Sequence, residues 1–237
     1  MNKILVFFLI TTSLVFANEY YAKVEPIHTY KVKASVSGKV DYVNKDLESK
    51  HLKESKLIVK IDDNVNKIDL KQSEVKLKAL LEVQKLEEEN LERFKQVSSK
   101  SKYDRDNQKI KILNAVSTVS DLRTKIATLK DTIDNKNLYE KNSYIYEIAV
   151  EEGDYVSPGT HLYTAMDLSL GKLEIFIPID KAVDIQTKSI YVDGEETDLK
   201  ISKLYNVADS QHISSYKCEI IIPAPQSFSS LKKIEFR

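Results

Sequence analysis

One cysteine and four histidines occur in 237 residues, and 36 basic side chains balance 36 acidic ones. Each shortage closes a class of function. Cys218 alone cannot form an internal disulfide, so stability must come from packing, and its apolar surroundings (216–222) read as a strand holding a small buried hydrophobe. His28, His51, His161 and His212 lie at no spacing that a site shared with Cys, Asp or Glu would need, so no metal is assigned. After Met1 the only methionine is Met166, which leaves a thioether copper site without ligands. A net charge of zero with no basic run argues against a nucleic-acid partner. There is no G-x-S-x-G, no H-E-x-x-H and no Gly-rich phosphate loop, so no catalytic residue and no cofactor are expected and the chain does not read as an enzyme. Its many carboxylates, such as Glu87-Glu88-Glu89, stand beside lysines on helical faces, where solvated i,i+4 pairing is the ordinary explanation.

Long apolar runs are also scarce. Residues 4–16 form one of about 13, short of the ~20 that a spanning helix needs. It follows Met1-Asn2-Lys3 and ends in Val15-Phe16-Ala17, the pattern of a signal peptide over 1–17, so export is expected.

Glycine and proline are absent from 65–138, and this stretch organises the rest. In its second half Ile112, Val116, Val119, Leu122, Ile126, Leu129 and Ile133 step by threes and fours, the seam of an antiparallel or coiled-coil helix pair. In the first half Leu77, Leu80, Leu91 and Phe94 form one stripe and Val83, Leu86 and Val97 a second, a face broad enough for more than one neighbour. Between them, Ser101 and Asp104 have capping-box spacing. The reading is two helices, 65–98 and 102–137, each roughly 50 Å long and folded back on each other. One of Asp62, Asp63 and Asn64 is expected to cap the first.

On both sides the pattern alternates. Tyr30–Val36, Lys39–Val43 and Lys56–Asp62 read as strands before the helices, with a turn at Ser37-Gly38; Tyr144–Val150 and His161–Met166 read as strands after them, with turns at Gly153-Asp154 and Pro158-Gly159. Two similar halves around an insertion suggest one small β-sandwich split at a turn tip. From 170 to 237 several short strands, with a hairpin signal at Asp193-Gly194, suggest a small barrel.

The run YIYEIAVEEGDYVSPGTHLYTAMDLS, with Gly153, Asp154, Val156, Gly159 and Leu162, resembles the lipoyl-type half of the periplasmic adaptor subunits, or membrane fusion proteins, of tripartite efflux and secretion systems (the HlyD/RND-adaptor-like family). Val36-Ser37-Gly38-Lys39-Val40 fits that family's opening turn, while 46–56 departs from it. The resemblance implies an α+β, elongated, multidomain chain. Its parts would be a signal peptide (1–17), an N-terminal strand with the first half of a lipoyl/biotinyl-like sandwich (18–63), a helical hairpin (64–138), the second half (139–169) and a β-barrel (170–237). It implies a periplasmic, envelope-associated protein that bridges an inner-membrane transporter of RND or ABC type to an outer-membrane TolC-like channel, as a homo-oligomeric ring. It also implies a channel-docking tip of an Arg, a Leu and a Ser, which falls on Arg93, on Val97 in the Leu place, and on Ser99 or Ser101, with Asp104 beside them; a plain capped turn explains Ser101 and Asp104 equally. The alternatives are a lipoyl- or biotin-type carrier, which needs a modified Lys at a tight turn and usually a Met-Lys pair that this chain lacks, and a purely structural coiled-coil envelope protein.

Overall fold

The structure, a computed structural model, describes residues 18–237; the signal-peptide reading of 1–17 lies outside them. In chain order the elements are β1 (Asn18–Lys23), β2 (Glu25–Lys33), β3 (Gly38–Val43), β4 (Lys56–Ile61), α1 (Asn64–Gln96), α2 (Lys102–Lys136), β5 (Asn137–Glu140), β6 (Tyr144–Ile148), β7 (Tyr155–Val156), β8 (His161–Pro178), β9 (Ile190–Val192), β10 (Glu195–Thr197), β11 (Ile201–Leu204), β12 (Ser215–Pro223) and β13 (Leu231–Phe236). They fall into two compact units.

The unit Tyr30–Ala165 holds the split sandwich and the hairpin. One sheet runs β5-β4-β3-β7, with Leu57 opposite Tyr139, Tyr42 opposite Lys60 and Gly38 opposite Val156. Strands from before the hairpin therefore pair with strands from after it. Because β4 and β5 are antiparallel neighbours, α1 leaves and α2 returns at adjacent strands. β6 lies on β8 in a second layer. The alternation in the sequence places Val40, Ile58, Ile61, Ile145, Val156 and Leu162 between the layers, each 1% exposed or less. Tyr163 is buried with them and its hydroxyl donates to Glu140 at 3.0 Å. Burial and that carboxylate push the phenol's pKa well up, so it stays a donor.

The helices form because nothing in the stretch breaks them, and they pair through a strict heptad alternation. Inner positions on α1 are Leu70, Ser73, Leu77, Leu80, Gln84, Glu87, Leu91 and Phe94; on α2 they are Gln108, Ile112, Ala115, Val119, Leu122, Ile126, Leu129 and Ile133. This corrects the sequence reading at one place. Val116 is 43% exposed, and Ala115 takes the inner position because the steps alternate four and three without a slip. Steps of three and four fit either residue, and the larger side chain drew the reading. The second stripe, Val83, Leu86 and Val97, is 45–57% exposed and meets no further element among the described residues. α1 ends at Gln96, two residues short of the expected 98, because Val97 is already extended (φ −99°, ψ 113°).

The other unit comprises 18–29 and Met166–Arg237. Its sheets are β1-β13-β9-β10 and β11-β12-β8-β2. Leu173, Ile177, Cys218, Ile220, Ile234 and Phe236 fill the space between them, all with no exposure. Burial pushes the Cys218 thiol up to about 12. Asp193 (φ 53°) and Gly194 (φ 90°) make the primed turn of the β9–β10 hairpin. β1 and β10 end the first sheet, and β11 and β2 end the second. No helix among the described residues is long and apolar enough to cross a membrane.

Candidate docking site at the hairpin tip

Residues 97–101 join the two helices. Lys100 N–H donates to the Val97 carbonyl at 3.1 Å, which closes the turn, and the Lys100 ammonium lies 4.5 Å from the centre of the Phe94 ring. Ser101 then caps α2. Its hydroxyl accepts from Asp104 N–H at 3.1 Å, while Asp104 Oδ2 accepts from Ser101 N–H at 3.0 Å and from Ser101 Oγ at 2.9 Å. Both partners of the capping box are thus engaged, and these hydrogen bonds hold the Asp104 carboxyl below the usual range.

This geometry divides the five tip residues. Ser101 and Asp104 serve the chain's own backbone. The other three face outward. The Arg93 side chain is 71% exposed and only loosely paired with Glu89, at 3.8 Å. Val97 is 45% exposed at the end of α1, and Ser99 is exposed in the turn. A planar guanidinium beside an apolar side chain and a small hydroxyl can bind carbonyls or carboxylates on the end of a partner helix.

The lipoyl-like turns do a different task. Gly153 N–H donates to the Val40 carbonyl at 2.9 Å, Val40 N–H to the Asp154 carbonyl at 2.8 Å, and Gly159 N–H to the Ala34 carbonyl at 2.8 Å, so these turns stitch the second half to the first. Asp154 Oδ2 also accepts from Glu151 N–H. Gly153 and Gly159 have φ of 98° and 93°, where a side chain is strained. Val156 is buried behind them. Gly38 serves close approach, since a Cβ there would lie 2.5 Å from Ile61 Cγ2.

One polar cluster escaped the sequence reading. Asp63 is fully buried at the start of α1 and makes no side-chain cap; Asp62 Oδ1 accepts from Asn64 N–H in its stead. Asp63 Oδ2 receives Lys67 at 2.8 Å and Asn137 Nδ2 at 2.9 Å. Lys136 donates to the Asp62 carbonyl at 2.6 Å and to Asn66 Oδ1 at 2.8 Å. The cluster ties the end of α2 to the start of α1 across about 70 residues of chain, a pairing that local spacing does not encode.

No family model matches this sequence, and no curated protein matches it. Solved structures do match. The membrane fusion protein Spr0693 of Streptococcus pneumoniae superposes with a TM-score of 0.73 at 9% identity, over 93% of this chain and 98% of that one. A MacA–MexA chimera carrying the Pseudomonas aeruginosa MexA α-hairpin gives 0.65 at 15% identity, over 93% and 80%. MacA of Actinobacillus actinomycetemcomitans gives 0.58 at 16% identity, over 93% and 78%. The split sandwich, the helical hairpin and the barrel of this chain are therefore the fold of the membrane fusion proteins.

Proposed function

We propose that this chain is a periplasmic adaptor that bridges an inner-membrane transporter to an outer-membrane channel, assembles as a homo-oligomeric ring, and performs no bond chemistry. The observation that carries the reading is the tip. A rod roughly 50 Å long ends in a turn whose internal needs are met by Ser101 and Asp104, leaving Arg93, Val97 and Ser99 to face outward. The likeness to proteins described as membrane fusion proteins supports it. Contacts of this kind are small and depend on a few central residues, and repeating them around a ring raises their strength by avidity.

The test is crosslinking from the cell envelope with both membrane partners identified, alongside a transport assay. Arg93→Asp and Val97→Asp should each abolish channel crosslinking and transport while helix content and expression stay normal. Normal transport by both variants would remove the tip as the docking site.

A further inference from the structure

The outer face of the β5-β4-β3-β7 sheet carries side chains that the core does not use. Alternation sends Val40, Val43, Val59, Leu138 and Val156 toward the sandwich interior. Tyr155, Tyr42 and Tyr139 therefore point the other way, and they are 73%, 39% and 58% exposed. Directly opposite them on the neighbouring strands, and so on the same face, stand Lys39, Lys60 and Leu57. Among the described residues no side-chain hydrogen bond, ion pair or ring contact engages the three tyrosines or Lys39.

The register fixes the spacing of the rings. Tyr155 is opposite Lys39, and Tyr42 lies two rows further along β3, because the irregularity between Val40 and Tyr42 absorbs one residue. Tyr42 is opposite Lys60, Lys60 is opposite Asn137, and Tyr139 lies two rows beyond Asn137 on β5. With rows about 3.3 Å apart and strands about 4.8 Å apart, Tyr155 and Tyr42 are separated by about 8 Å and Tyr42 and Tyr139 by about 12 Å. Both steps run the same way across the sheet and along it, so the rings form one diagonal row.

Tyrosine is common in strands because its ring packs on a neighbour across the ladder, but these rings touch no other ring. Phenol rings laid along a flat sheet offer apolar faces with a polar tip. That suits pyranose sugars, whose C–H faces stack on aromatic carbon while their hydroxyls reach the phenol oxygens. In an extended β-linked glycan alternate sugars turn the same face to one side, so a row of separated rings grips one strand at intervals. A protein anchor would need a pocket, which a flat row lacks. Charge then selects among glycans. Asp41 holds Lys60 at 2.6 Å, whereas Lys39 is uncommitted and shares a row with Tyr155, so the face keeps a surplus cation and is complementary to a strand that bears carboxylates. We propose that this face binds the glycan strands of peptidoglycan, with Tyr155, Tyr42 and Tyr139 stacking on sugars and Lys39 meeting a carboxylate of the wall. The site lies on the sandwich and does not rest on the adaptor reading.

The experiment is cosedimentation of the full chain with purified peptidoglycan sacculi, together with titration by soluble chitin hexamer as a neutral strand. The unaltered chain should pellet with sacculi. Tyr155→Ala, Tyr42→Ala and Tyr139→Ala should each weaken binding about two- to tenfold, and the triple variant should abolish it. These positions are exposed, so circular dichroism should not change. Tyr146→Ala, 56% exposed on β6 in the other layer, should bind normally. Lys39→Glu should weaken binding to sacculi and leave that to chitin hexamer unchanged. Arg93→Asp should pellet like the unaltered chain, so failure at the tip and failure at this face are read separately. An unaltered chain that stays in solution, or a triple variant that still pellets, overturns the proposal. Equal loss in Tyr146→Ala overturns the row, and normal pelleting of Lys39→Glu overturns the carboxylate contact. Binding to phosphatidylglycerol vesicles through the same tyrosines, without binding to sacculi, assigns the face to a lipid surface and overturns the glycan.

Discussion

Gly38 and Gly159 are both required by the fold for different physical reasons, and the size of a replacement side chain separates them. At Gly38 the backbone is ordinary and the obstacle is space. A Cβ would sit 2.5 Å from Ile61 Cγ2, where carbon atoms prefer about 3.5–4.0 Å. Ile61 has no exposure and is locked in the sandwich core, so it must shift by about 1 Å within close-packed surroundings. Overpacking of this sort costs about 1–3 kcal/mol, against about 0.4–1 kcal/mol regained because alanine lowers the entropy of the unfolded chain. Gly38→Ala should therefore lose about 1–2 kcal/mol, and Gly38→Val distinctly more. At Gly159 the space is open and the obstacle is φ of 93°. A Cβ in that left-handed region costs about 1–2 kcal/mol, most of it incurred by the first carbon. Gly159→Ala and Gly159→Val should thus fall close together. Thermal unfolding of the full chain is the assay, with about 2–4 °C per kcal/mol for a body of this size. If Gly38→Ala and Gly38→Val unfold alike, or if the loss at Gly159 climbs steeply with side-chain size, the assignment of space to one and torsion to the other is wrong.

Three further outcomes are expected. Ser101→Ala removes the acceptor for Asp104 N–H and should cost about 1 kcal/mol of α2 stability by circular dichroism, while transport changes little. Asp104 has its folded-state pKa depressed by its bonds to Ser101, so its contribution is present above the unfolded value of about 3.9 and is lost as pH falls through the lower folded value; amide exchange at 102–106 should rise only in that acid window, and a rise beginning near neutrality would contradict the cap. Cys218 should resist alkylation at pH 8 in the folded chain and react promptly in denaturant; equal rates would mean that its strand is not buried.

The fold was legible where local chemistry decides it. The hairpin, its capping box, the strands with clean alternation and the Asp193-Gly194 turn all follow from spacing and residue type, because each is specified by neighbours within a few positions. What escaped was decided across the chain. Position left the cap of α1 open among Asp62, Asp63 and Asn64; Asp62 accepts from Asn64 N–H, while Asn137 and Lys67 claim the Asp63 carboxylate, and Asn137 is 74 residues away. The seam was misread at Val116 because volume suggested burial while register placed the smaller Ala115 inside. The stripe Val83–Leu86–Val97 was seen, but the sequence reading supplied it with a neighbour that the described residues do not contain. At the tip, spacing alone left Ser101 between a cap and a contact; geometry shows the cap and leaves Arg93, Val97 and Ser99 as the outward set.

The two ends of the hairpin are held by different means, a polar cluster at the base and a capped turn at the tip. Near the base Val119, Leu122 and Ile126 are buried beside an inward Ser73, ion pairs cross both faces, and the Asp63 cluster fastens the first turn of α1 to the last turn of α2. Toward the tip Leu91, Phe94 and Ile112 keep inner positions, beside Gln84, Glu87 and a buried Gln108 that donates to the Glu87 carbonyl. A hydrogen-bonded polar pair contributes about 0.5–1.5 kcal/mol, less than the 1.5–3 kcal/mol of one fully buried leucine, so Gln108 with Glu87 stabilises its level of the seam less than an apolar pair would.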